Sequence, residues 1–249
     1  PADSTSAAWA EAAPRLRAAW EKHEERYPER ERAAPEDHPD GSWSSGETRA
    51  LTSDQNIEVS RGYVRICDIG ERDIVPGILA VAAADSTRHL VGFDRHIKGE
   101  DRLKEKVADR IRTKGRTPDE ALAEVPDVVR FTYQYSENTY AAGIGDDLRR
   151  LEGWGFTKVE LRNTWNDSQY KGVNSRWREP ESAVLFEVQF HTQASLEAKE
   201  LTHKAYERIR STVRDDERAE LSHFQRRVNS VVPIPPGAME IENYPPGDT

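Results

Sequence analysis

The chain has 249 residues, 33% of them charged and 36% hydrophobic, with a mean hydropathy of −0.85 and a net charge of −9. That is polar but enough for a folded core; the most apolar run, Val75–Ala84, is broken by Pro76 and Gly77 and falls short of the roughly 18 residues a membrane span needs, so no membrane partner is expected. A single cysteine, Cys67, excludes a disulfide framework or a multi-cysteine zinc site, and the acidic balance disfavours DNA or any broad grip on nucleic acid.

The chain opens Pro1-Ala2-Asp3-Ser4-Thr5-Ser6, which reads as a mature end left by signal cleavage. Secretion is therefore expected, with the cytoplasm as the alternative. Residues 6–30 predict a charged helix, dented at Pro14 and ended by Pro28, and Ala33–Ser53 reads as a linker or mobile loop. Asp73–Ala84 is a short helix, and Glu100–Arg112 is a second one, with Leu103, Val107 and Ile111 on one stripe. Val128–Tyr135 reads as a strand, Asp146–Glu152 as a helix and Lys158–Arg162 as a strand. Ala183–Phe190 has the strongest strand pattern, and two helices follow at Ser195–Val213 and Asp215–Val228. The tail, Val231–Thr249, has five prolines and is expected to be extended or disordered. The expected division is a helix plus linker over 1–56, one mixed α+β domain over 57–230, and the tail over 231–249.

Several chemistries are excluded by what is missing. There is no phosphate loop ending in Gly-Lys-Ser/Thr, no Gly-x-Ser-x-Gly elbow, and neither His-Glu-x-x-His nor an adjacent His-Asp pair among the seven histidines. Gly143-Ile144-Gly145 begins like a dinucleotide fingerprint, but Asp146 and Asp147 follow and would repel a pyrophosphate.

Three clusters remain. In the first, Lys98, Arg102 and Lys106 are four apart beside a helix start, which suits a triphosphate; the alternative is a solvated face whose acids pair with those cations. In the second, alternation puts Phe186, Val188 and Phe190 on one face of a strand and Glu187 and Gln189 on the other. An acid and an amide beside bulky apolar residues point to a bound ligand, or else to a sheet face open to water. In the third, Asp127 stands at the mouth of a strand, where it is a Mg²⁺ ligand or a turn cap. Between them, Tyr170 in a polar turn is a stacking surface for a purine, or a core tyrosine. As a stacking ring it would need no hydroxyl.

In this order the clusters resemble the synthetase domain of the RelA/SpoT family of alarmone synthetases, over about residues 60–210. Lys98 and Lys106 match its two lysines, Asp127 its metal aspartate, Tyr170 its stacking tyrosine, and Glu187, Gln189 and Thr192 its Glu-x-Gln-x-x-Thr segment. His96 stands where the first arginine is expected, with Arg95 beside it; Arg102 replaces a serine, Asn174 a histidine, Gln169 a glycine, and His191 a frequent basic residue. The extended Phe186–Thr192 form is similar to a divergent branch that includes secreted actinomycete enzymes. The resemblance implies an α+β, nucleotidyltransferase-like fold, a mixed sheet flanked by helices. It also implies Mg²⁺-dependent transfer of the β,γ-pyrophosphate of ATP to a ribose 3′-hydroxyl of a purine nucleotide. ATP would then lie against Arg95, His96, Lys98, Arg102, Lys106, Arg130 and His191, and the acceptor against Tyr170, Lys171 and Asn174. Asp127 and Glu187 would hold the metal, with Glu187, Asp127 and Gln189 at the reacting centre. The expected state is a monomer. The alternatives are the same chemistry on tRNA 3′ ends and a non-catalytic nucleotide-binding module.

Overall fold

A long N-terminal helix, α1 (Ser4–Arg26), buries Trp9, Ala13, Leu16 and Trp20, whose spacing of three and four sets them on one stripe. That stripe packs on two C-terminal helices, with Trp20 5.2 Å from Phe224. Pro14 is accommodated inside α1 on its exposed side. The computed structural model describes residues 4–28, 34–210 and 214–245. Residues 1–3, 29–30 of the expected first helix, residue 33 of the expected linker, 211–213 of the expected Ser195–Val213 helix, and 246–249 of the tail lie outside that description.

The expected mobile loop is instead a small antiparallel sheet of β1 (Glu36–Asp37), β2 (Trp43–Ser45) and β3 (Arg49–Leu51). Gly41 and Gly46 lie in its turns, while Trp43 and Leu51 are fully buried. Three contacts fasten it to one side of α4 (Glu100–Lys114): Trp43 Nε1 to Asp101 at 3.0 Å, Ser45 Oγ to Glu105 at 2.9 Å, and Arg49 Nε to Asp109 at 3.0 Å. A composition typical of loops thus conceals side chains spaced to meet every fourth residue of a helix.

The helix expected from Asp73 begins far earlier. α2 (Ser53–Ile69) starts at a Thr52–Gln55 capping box and runs through a π-helical turn, Gly70–Ile74, into α3 (Val75–Ala83). Its polar composition obscures a buried stripe of Asn56, Val59, Gly62, Ile66 and Ile69. The division expected at 56/57 falls inside this helix.

The remaining elements are β4 (Arg88–Val91), α5 (Pro118–Ala123), β5 (Arg130–Tyr135), α6 (Tyr140–Gly153), β6 (Thr157–Asn163), β7 (Val173–Arg178), β8 (Leu185–Thr192), α7 (Gln193–Arg210) and α8 (Asp215–Ser230). The large sheet has the order β4-β5-β8-β7-β6 and is mixed, because β5 and β8 run parallel while every other pair is antiparallel. The architecture is α+β, a mixed sheet flanked by helices. One face carries Phe131, Tyr133, Tyr135, Trp177, Phe186, Val188 and Phe190, all buried on the side of α3 and α6. Behind it lies a wholly buried ion pair, Arg88 with Asp147 at 2.5 Å, supported by Tyr135 Oη at 2.6 Å. Gly143 and Asp147 are therefore packing residues of α6, and no nucleotide fingerprint is involved.

Of the two expected forms of the tail, extended or disordered, its described part is not disordered but packs against the sheet. Val232 and Ala238 are buried, and Tyr244 exchanges backbone hydrogen bonds of 2.7 and 2.9 Å with Leu161 of the edge strand β6. Asn163 also binds the carbonyls of Ala238 and Ile241. No helix among the described residues is long and apolar enough to cross a membrane.

Candidate active site

The second face of the sheet is polar. Cross-strand registers place Arg130, Glu187, Arg176 and Glu160 in one row across β5, β8, β7 and β6, and Thr132, Gln189, Asn174 and Arg162 in the next. The alternating signs of the first row reduce repulsion between neighbours. α7 covers part of this face, over β5 and β8.

Backbone pairing brings the lysines to this face. Lys98 N donates to Val128 O at 2.8 Å and Arg130 N to His96 O at 2.7 Å, and Ile97 bridges Val129. Residues 96–98 therefore lie beside 128–130, and the Lys98 ammonium meets the Asp127 carboxylate. Eight residues on, Lys106 of α4 reaches the same group, 2.5 Å from each oxygen. Burial pushes the Asp127 carboxyl up, but Lys98 and Lys106 outweigh it and hold it well below the usual carboxylate range. Burial pulls the Lys106 ammonium down despite the adjacent Asp127.

One residue pair along the sheet, Gln189 Nε2 donates to Glu187 Oε1 at 2.5 Å, and Lys199 Nζ of α7 donates to Gln189 Oε1 at 2.5 Å. Burial first, and then the charge of Asp127, push the Glu187 carboxyl up. Burial, reinforced by Arg130, pulls the Lys199 ammonium down to about 8. Lys98, Lys106, Arg130 and Lys199 are thus electrostatically linked to Asp127 and Glu187, with Glu200 also acting on Lys199, four cations against three carboxylates. Lys199 is absent from the residues expected from sequence. Its signal was a lysine on the α7 face that carries the buried small residues Ser195, Ala198 and Thr202.

Other expected residues lie elsewhere or do other work. His96 caps a 3₁₀ turn, and its ring packs among aromatic side chains. It stacks on Phe93 at 4.6 Å and on Phe131 of the apolar face at 5.4 Å, with Glu71 3.1 Å from Nε2. Arg95 is exposed and pairs with Asp94 alone among the described residues. Arg102 stands at the rim, bound to Glu105 and Glu207 at 3.1 and 3.6 Å. The Lys171 ammonium, pulled down by burial, donates to Trp165 O at 2.7 Å and braces its own loop. His191 is fully buried with both ring nitrogens engaged, so it offers ATP no surface. Tyr170 is half-buried above it, its hydroxyl bonded to His191 and to Asn174.

No cluster of three or more His, Cys, Asp or Glu side chains suited to a metal occurs among the described residues. Asp127 and Glu187 do fit a hard dication that brings further oxygen ligands with it, since their mutual repulsion is what such an ion relieves.

No family model and no curated protein matches the chain. Among solved structures, the chain is similar to the protein smu.1046c of Streptococcus mutans UA159, at 13% identity over 69% of this chain and 89% of that one, with a TM-score of 0.47. It is similar also to small alarmone synthetase 2 of Bacillus subtilis, at 13% identity over 72% and 94%, TM-score 0.47. A third is small alarmone synthetase 1 of the same organism, at 15% identity over 69% and 88%, TM-score 0.42.

Proposed function

We propose that the chain is a nucleotide pyrophosphotransferase, moving the β,γ-pyrophosphate of ATP to the 3′-hydroxyl of a purine nucleotide. The observation that carries this reading is the excess of cations at the polar sheet face, with Lys98 and Lys106 locked on Asp127 and with Arg130 and Lys199 beside Glu187. Such a face neutralises a polyphosphate, and phosphoryl chemistry depends chiefly on positioning and charge stabilisation. Lys98, Lys106 and Arg130 would hold the triphosphate. Asp127 and Glu187 would hold Mg²⁺, which supplies further charge neutralisation on the phosphate oxygens when bound. Glu187 is the base: Gln189 donates to its Oε1 and so fixes the carboxylate, and its burial favours taking the proton of the acceptor hydroxyl. The bond from O3′ to the β-phosphorus forms as the bond from that phosphorus to the α–β bridging oxygen breaks. AMP leaves with that oxygen, and the proton ends on Glu187.

The test is incubation with ATP, Mg²⁺ and, separately, AMP, ADP, GDP, GTP or tRNA, resolved by anion exchange. Stoichiometric AMP and a 3′-pyrophosphorylated nucleotide are expected, with no product from a 3′-deoxy acceptor. Release of ADP and phosphate alone would overturn the reading, and labelling of tRNA with free nucleotides untouched would change its acceptor to tRNA.

A further inference from the structure

His191, expected from sequence at the ATP site, belongs to a different device. Its ring is wholly buried in β8 and makes two side-chain hydrogen bonds, one between Nδ1 and Ser195 Oγ at 2.8 Å and one between Nε2 and Tyr170 Oη at 2.9 Å. Tyr170 Oη in turn donates to Asn174 Oδ1 at 3.0 Å. A phenol has one proton, so Tyr170 must accept from His191. Nε2 therefore carries the imidazole hydrogen, and Nδ1 accepts from Ser195 Oγ at 2.8 Å, the shorter of the two contacts open to that hydroxyl's proton, the other being Thr192 O at 3.3 Å. The result is one directed chain, Ser195 to His191 to Tyr170 to Asn174, with the imidazole neutral. Burial pulls the His191 imidazole well below its usual range, in agreement with that neutral form.

The surroundings are built to hold this chain. The Tyr170 ring stands at 80° to the imidazole, 5.6 Å between centroids. Gly172, with φ of 154°, is the one residue type that fits beside it, because a Cβ there would lie 2.8 Å from His191 Cε1. The loop carrying Tyr170 is fastened by Gly172 O, which accepts from Thr164, and by Gln169 O, which accepts from Asn229 of α8. The chain also ends one row from the reacting Glu187, since Asn174 pairs across the sheet with Gln189, the residue bonded to Glu187.

We infer that His191 is the positioning residue for the acceptor: it fixes the angle of the Tyr170 ring on which the purine stacks, relative to the Glu187 carboxylate that takes the proton of the acceptor hydroxyl. This rests on the pyrophosphotransferase reading. It also changes what Tyr170 contributes, since the hydroxyl now matters as well as the ring.

The experiment compares Tyr170→Phe, His191→Asn and the double variant by steady-state kinetics with ATP and either ADP or GDP. Each single variant should raise the acceptor KM about five- to tenfold, the scale of one lost hydrogen bond, with the ATP KM and kcat within about twofold. The double variant should be no worse than either single one, because one broken link breaks the chain. Additive losses, an effect on the ATP KM, or a Tyr170→Phe enzyme indistinguishable from wild type would overturn the inference. Should His191→Asn fail to fold, Tyr170→Phe and ¹⁵N-histidine spectra of the full chain still decide it. A non-titrating Nε2–H tautomer perturbed by Tyr170→Phe is expected, and an Nδ1–H tautomer would refute the chain. That spectrum needs no turnover. Absence of transfer to any acceptor would therefore sink the enzymatic reading while the spectrum judges the hydrogen bonds separately.

Discussion

Replacing Asp127 by Asn keeps the shape of the side chain but removes the charge that Lys98 and Lys106 share. Asp127, Lys98 and Lys106 retain 16%, 25% and 33% side-chain exposure, so water screens the cluster only in part. A charge-assisted hydrogen bond contributes about 1.5–3 kcal/mol, and two such links, discounted for that exposure, give a loss of about 2–3 kcal/mol. In a chain of this length that corresponds to a fall in Tm of about 5–10 °C. The dependence on pH has a definite sign. The native carboxyl titrates well below the unfolded one, so its stabilisation is complete above the unfolded pKa of about 4. It is lost as pH falls from there through the native value. Calorimetric melts of wild type and Asp127→Asn should therefore differ by a constant amount from pH 7 to 5 and converge only below about pH 4. Metal-free ATP should meanwhile bind the variant at least as tightly as wild type, because both ammonium groups are freed, while turnover is lost. Equal melting temperatures at pH 7, or a gap that closes between pH 7 and 6, would show that Asp127 is merely a turn residue.

Glu187→Gln should cost at least about a hundredfold in turnover, a barrier of about 2.7 kcal/mol, yet leave Tm unchanged or higher. A buried carboxyl with a raised pKa destabilises the fold as pH rises through that pKa; a lower Tm at pH 7 would contradict this. Lys199→Met should reduce kcat/KM for ATP about tenfold and Lys199→Arg should restore much of it. Because the ammonium is lost as pH rises through about 8, the alkaline fall in wild-type kcat/KM should be centred there and be absent in Lys199→Arg. Arg88→Met should cost about 3–5 kcal/mol in urea unfolding, because it removes the buried partner of Asp147 and leaves that carboxylate only Tyr135 and the partly exposed Arg150, 2.9 Å from Oδ1. A loss below about 1 kcal/mol would show that Tyr135 and Arg150 suffice for that carboxylate.

Alternation and helical stripes, which depend on near neighbours alone, were legible in the sequence. Phe186, Val188 and Phe190 could face one way and Glu187 and Gln189 the other only if the segment was a strand, and β8 has that arrangement. The stripe of Leu103, Val107 and Ile111 likewise fixed α4, with Lys98 and Lys106 off it. The spacing of Lys98 and Lys106 made them candidates to act together. That they would converge on Asp127 was decided by the backbone pairing of 96–98 with 128–130, a contact between distant segments that leaves no periodicity. The same holds for Lys199, set against Gln189 only when α7 folds back over the sheet, and for the small sheet at 36–51, which composition alone would call a loop. His96 and His191 are both read as basic groups because they stand where the family they resemble carries basic residues. A histidine's charge depends on its surroundings, and an aromatic stack holds one ring while a buried hydrogen-bond chain keeps the other neutral. Local pattern determined which residues share a face. Long-range pairing decided which faces meet, and with that which charges survive burial.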